Sequence, residues 1–351
     1  MIRFRRAAAL VALAGLASSC AAGSGGFSGK PADVYSVIPT QSDVRKLMGD
    51  DNWWEGAPTF GVQPLNAQTT LATEKFSVSQ VFKHVGTDEY LFPRYTVFDK
   101  TSSATSYMSD VQNNLSNPPT SPKVGDQVIY TGAFGSGGAP YQYAALVRVG
   151  QIVLDLTWAR KDRGVTIQML AKNAKAFAEP LKNISKVHAK LRTADPDGLP
   201  PAGTSITLLG STELPVEAFA VMILNTLPEE VTALMKGQGI TTFPYGDYAL
   251  NSDTHMEVQS ALFTFPTAKD AADWAAAFSP DKPDDNGISF GYIQTSGTPA
   301  AGVYRFVFVS GRYGGFLICK PALDGTAASR ECEDPGQRVA LGWKLALGGL
   351  R

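Results

Sequence analysis

Cysteine and histidine are scarce in this 351-residue chain, three of each, and that scarcity removes several chemistries at once. Structural zinc needs four Cys or His ligands at close spacing, and His84, His188 and His255 stand far apart from one another and from any cysteine pair. Charge is thin as well, 18% of residues, with 31 Lys and Arg against 32 Asp and Glu. So even a balance offers no field to hold nucleic acid. Serine nucleophiles and phosphate loops are also missing. Ser28, behind Gly26 and Phe27, lies in the Gly/Ser-rich tether and lacks the Gly-x-Ser-x-Gly elbow, and the glycines from Gly135 to Gly138 have no phosphate-binding lysine after them. The acidic run Asp281 to Gly287 has a calcium-like composition but misses the alternating ligand positions of an EF-hand, and it reads as a turn. No cofactor is implied, and enzymatic activity is not expected.

What is present begins with a leader. Arg3, Arg5 and Arg6 precede an apolar run from Ala7 to Ala17, shorter than the roughly 20 residues a spanning helix needs. Residues 1–19 therefore read as a signal peptide. The leader ends Leu16-Ala17-Ser18-Ser19-Cys20, similar to a lipobox in which the cysteine thiol is lipidated before the leader is removed. Lipidation at Cys20 would leave the protein exported and held on the extracytoplasmic face of the cell membrane by its anchor. The alternative is ordinary secretion with cleavage after Ala21 or Ala22. Residues 20–32, rich in Gly and Ser, suit a flexible tether.

With Cys20 set aside, Cys319 and Cys332 remain, 13 positions apart (332 − 319). An even pair in an oxidising compartment is expected to be bonded.

The chain also repeats itself. Leu47-Met48 is echoed by Leu234-Met235, each in a short amphipathic helix. Tyr95 to Phe98, with Ala104 and Tyr107, aligns without gaps on Leu262 to Phe265, Ala271 and Trp274, at an offset of 167 (265 − 98). Tyr143 to Trp158 matches Tyr304 to Cys319, two β-rich runs around Gly150 and Gly311, at an offset of 161 (311 − 150). The first copy carries about 20 extra residues between its first two landmarks. The unit reads helix, strand, helix, hairpin, helix. This gives an α+β chain of two related units, each an antiparallel sheet with helices packed on one face. The first unit is placed at 33–192, a Pro- and Gly-rich linker at 193–212, and the second unit at 213–351.

The lipobox-like leader, the Gly/Ser tether, and the units built on Leu47-Met48, Tyr95 to Tyr107 and the Gly150 and Gly311 hairpins resemble actinobacterial cell-envelope lipoproteins related to the extracellular sensor domains of mycobacterial serine/threonine kinases. The resemblance implies a non-catalytic, sensor-like role with an envelope ligand or protein partner. Those sensor domains generally carry two disulfides around a cleft, whereas here only the second copy has a cysteine pair.

Two surfaces are singled out. Adjacent Trp53 and Trp54 cannot both face a core from a regular helix or strand, so one is a candidate for stacking on a sugar, a lipid or a partner loop, the alternative being that both seal the edge of the first unit. Tyr141 and Tyr143 alternate with Gln142 and share one strand face, where they would line a cleft or cover the core. Two other functions stay open at this point: a lipid or glycolipid carrier with an apolar cavity, and a cell-wall hydrolase.

Overall fold

The computed structural model describes residues 29–61, 73–134, 141–162, 164–186, 198–203, 205–223, 228–251, 253–294, 302–321 and 331–349. The expected signal peptide, Cys20, most of the tether and His188 lie outside these residues, as does the side chain of His255.

The chain opens with α1 (Pro31–Tyr35) and α2 (Gln41–Met48). Helix α2 starts where Thr40 accepts from the Asp43 N–H while the Asp43 carboxylate accepts from the Thr40 N–H, and it stops at Gly49 in the left-handed region. Then come β1 (Trp53–Glu55), β2 (Thr59–Gly61), β3 (Glu74–Ser79), β4 (Phe82–His84), β5 (Tyr90–Phe98), α3 (Thr101–Asn114), β6 (Gln127–Phe134), β7 (Tyr141–Val149), β8 (Ile152–Arg160) and α4 (Ile167–Ala178). A 3-10 helix, Glu179–Lys186, closes the first half. The second half runs β9 (Ile206–Pro215), α5 (Val216–Met222), α6 (Pro228–Gly237), β10 (Thr242–Leu250), β11 (Asp253–Thr264), α7 (Ala268–Phe278), β12 (Ile288–Gln294), β13 (Gly302–Ser310), β14 (Tyr313–Pro321) and α8 (Glu333–Gly348). The second sheet thus begins at Ile206, inside the stretch read as linker.

The fold is α+β, with two antiparallel sheets built on one plan. In the first, β1 and β2 act as one interrupted strand against β3 and β4, with Trp53 opposite His84 and Thr59 opposite Ser79; β5, β8, β7 and β6 follow. The second sheet has the order β9, β10, β11, β14, β13, β12. Lane for lane the two agree. The sequence repeat reappears at atomic detail. The Phe98 N–H donates to the Gln151 carbonyl (3.0 Å) and the Phe265 N–H to the Arg312 carbonyl (2.9 Å), which are positions related by the two offsets. Phe98 packs on Tyr107 and Phe265 on Trp274, each pair with ring centroids 5.5 Å apart. Gly150 and Gly311 both have positive φ, as the first central residue of a type II′ hairpin turn requires.

Helices cover both faces of each sheet, where the sequence suggested one. Along β7, Ala144 and Leu146 join the α3 cluster while Tyr143, Ala145 and Val147 point to the opposite side, which α4 covers. In the second sheet α8 packs on Phe306, Phe308 and Leu317, and α5 and α7 pack on Phe263 and Phe316. The reason is the near-continuous apolar character of the central strands, which fits a sheet buried on both sides better than strict alternation does. One apolar cluster takes residues from both halves, among them Val78, Tyr95 and Phe177 from the first and Phe219, Phe263 and Phe316 from the second.

The halves meet where β2 crosses β9 and β10. The Phe60 N–H donates to Asp247 (2.6 Å), the Tyr245 hydroxyl donates to the Pro58 carbonyl (2.6 Å), and the Thr59 hydroxyl donates to Glu257 (3.2 Å). Cys319 on β14 and Cys332 at the start of α8 are bonded, with Cα atoms 5.7 Å apart. The bond fixes the last helix to the second sheet.

Candidate functional site

The α3 side of the first sheet divides into two parts. Under α3 it is apolar, built from Phe98, Ile129, Leu146 and Val153. Farther along the same strands it turns polar. Arg94 lies directly opposite Asp155, Thr96 opposite Val153, and Ser79 opposite Arg94 on the next strand. Since side chains alternate along a strand, Arg94, Thr96 and Asp155 project to one side. Glu74, at the bulged start of β3, reaches the same charges.

Most polar groups in a folded core find partners. Here Glu74 Oε1, Arg94 Nε, Thr96 Oγ1 and Asp155 Oδ1 are all shielded from solvent and make no hydrogen bond. Thr96 is fully buried, while Glu74, Arg94 and Asp155 are half-buried. The Arg94 guanidinium sits 5.7 Å from the centre of the Phe92 ring, which orients it. Burial pushes the Glu74 carboxyl up to about 7, against the opposing pull of Arg94. Burial likewise raises Asp155, again opposed by Arg94. The Tyr107 hydroxyl is raised by burial first and by Asp155 and Glu74 next. The carboxyls and the guanidinium therefore sense one another without being hydrogen-bonded partners.

The sister sheet shows what this region becomes when it is only structural. At the repeat offsets, Arg94, Thr96 and Asp155 correspond to Ala261, Phe263 and Phe316. There Phe219 of α5 meets Phe263 (4.7 Å) and Phe316 (4.9 Å) edge to face and fills the space. In the first half the helix pair α1 and α2 packs on the other side of the sheet, with Val78, Tyr95 and Phe177. Helix α3 packs beside the polar side, and its Tyr107 senses Asp155 and Glu74.

The residues singled out from sequence lie elsewhere. Trp53 and Trp54 are 2% and 8% exposed, so neither offers a stacking surface. The short strand β1 is enclosed by α2 and α5, which lets successive side chains on both of its faces be buried. Trp53 meets His84 edge to face, and His84 Nε2 lies 2.8 Å from Asp50. The Asn52 N–H, and then His84, hold Asp50 below the usual carboxylate range. Tyr141 and Tyr143 do share a face, but it is the α4 side, and Tyr143 is buried there. The Asp281 to Gly287 run is a turn held by Asp284, which accepts from the N–H groups of Asn286 and Ile288 and from Gln337. Among the described residues no group of three His, Cys, Asp or Glu is placed to hold a metal. No described helix is long and apolar enough to cross a membrane.

A cavity of about 630 Å³ lies between the α1–α2 turn and the end of α4, walled by Val37, Ile38, Leu47, Ala176 and Pro180. Its polar members are already engaged, Ser36 with the Asp33 carbonyl and Thr40 with Asp43. It offers shape without unmet hydrogen bonds.

The sequence did contain a signal for the polar face. Aligning the two copies sets Arg94 against Ala261 and Asp155 against Phe316, a charge-for-apolar exchange on both strands. That signal can be read only once the lanes are known to be equivalent.

No family model and no curated protein matches the chain. Among solved structures, the extracellular domain of PknH from Mycobacterium tuberculosis is similar over 46% of this chain and 100% of that one, at 11% identity and a TM-score of 0.34. At that score the two resemble each other, and no more follows from the match.

Proposed function

We propose that this chain is an exported, lipid-anchored binding protein without catalytic activity, which holds a small polar ligand from the cell envelope on the Arg94 face of its first sheet. One observation carries the reading: four shielded polar atoms without partners converge where the sister sheet has a closed aromatic core. Leaving such groups unmet costs about 1–3 kcal/mol each, and a ligand that meets them recovers that cost on binding.

The test is native mass spectrometry of the mature protein drawn gently from its own envelope, beside an Arg94→Met variant. A bound small molecule present in the wild type and absent from the variant supports the reading. An apo mass for both sinks it. A co-purified lipid retained by the variant would favour the carrier reading instead, with the cavity beside α2 as its seat. Anchoring is tested separately: Cys20→Ala should release the protein to the medium, and unchanged retention would refute the anchor.

A further inference from the structure

We infer that the Arg94 face takes a neutral polyhydroxyl ligand, a sugar or cyclic polyol, and grips it through neighbouring hydroxyl groups. This rests on the binding function proposed above and names its ligand class.

The argument begins with what the unpartnered atoms need. Asp155 Oδ1 and Glu74 Oε1 are acceptors, the Arg94 Nε–H is a donor, and the Thr96 hydroxyl is both. Two adjacent hydroxyls on a ring supply the complement, since each can donate to a carboxylate and accept from a guanidinium or a threonine. Charge narrows the choice further. An anion drawn to Arg94 would meet two carboxyls, Glu74 and Asp155, whose electrostatic influence reaches the same place. A divalent cation drawn to those carboxyls would meet the Arg94 guanidinium. A neutral ligand escapes both penalties. Glu74 widens the match, because a carboxyl near half protonation at neutral pH donates as well as accepts. Half-buried Phe92, under the guanidinium, adds an aromatic wall of the kind on which the C–H face of a sugar packs.

Thr96 supplies the second observation. It is fully buried, lies on the same strand face as Arg94, and its hydroxyl has no partner. A threonine with only a structural role there would be replaced by valine at no loss.

The experiment is saturation-transfer difference NMR on the mature protein with glucose, mannose, N-acetylglucosamine and myo-inositol, with titration calorimetry of inorganic phosphate and Ca²⁺ alongside. The expected result is transfer to the ring protons of at least one of the neutral polyols. Thr96→Val, which keeps the shape, should weaken that binding by about tenfold, while Met169→Ala on the exposed side of α4 should leave it unchanged. Should Thr96→Val fail to fold, Glu74→Gln serves in its place. Wild-type affinity should then change as pH crosses about 7, and the variant should lose that dependence. Binding of phosphate or Ca²⁺ without any polyol overturns the ligand class and leaves the binding site standing. Polyol binding that neither variant alters places the ligand elsewhere and overturns the inference. No binding of any probe by folded protein overturns the inference and the site together.

Discussion

Asp247 is fully buried at the seam between the halves, and burial, followed by the neighbouring Glu257, pushes its carboxyl well above 3.8. Lys320 on β14 lies 3.7 Å from Glu257, the Gln259 amide donates to Glu257 (2.7 Å), and Tyr245 and Tyr248 on β10 face the Asp247 charge. A carboxyl whose folded-state value is raised binds its proton more tightly when folded. Its contribution to stability is therefore complete below about 3.8 and is lost as pH rises through the raised value. Asp247→Asn keeps an acceptor for the Phe60 N–H and a donor toward Glu257 while removing the titration. Melting temperatures measured from pH 4 to 9 should fall less steeply for the variant than for the wild type; parallel curves would show that Asp247 is not the group responsible. Trp53 makes a simpler case. As a fully enclosed aromatic its replacement by alanine should cost about 3–5 kcal/mol in urea unfolding, far above the few tenths expected of a surface residue.

At the scale of elements, the hairpins and the last helix carry most of what can be read locally. The β7–β8 and β13–β14 turns depend on Gly150 and Gly311, whose positive φ has no steric cost in glycine alone. The disulfide closes a loop between β14 and α8. Replacing Cys319 and Cys332 together with serine should lower unfolding free energy by about 3 kcal/mol, and a loss near zero would show that helix packing by Trp343 on Phe308 holds α8 unaided. These features were legible because each rests on residues close in sequence: a Gly between two β-rich runs, or two cysteines 13 positions apart. The burial of Trp53 and Trp54 was not legible. It depends on α5, more than 160 positions away along the chain (216 − 54 = 162).

At the scale of the molecule, the two halves share one apolar cluster and a close crossing. A Cβ on Gly210 would lie 2.7 Å from the Phe60 ring, whereas one on Gly203 would meet nothing within 4 Å. Gly210→Ala should therefore destabilise the protein by about 1–3 kcal/mol, with Gly203→Ala as the neutral control; equal melting temperatures for the two variants would argue against the crossing. By itself, the sequence determined the α+β class, the repeated strand–helix–hairpin unit and the cysteine pairing, because periodicity, turn chemistry and short loops are local properties. Only the tertiary structure decided that helices cover both sides of each sheet, that the Arg94 face keeps buried polar atoms without partners where its counterpart is filled by Phe219, and that Phe60 binds Asp247 across 187 positions. Those outcomes turn on which side of a sheet a helix pair packs, a choice made by contacts between distant segments and written in no single stretch of the chain.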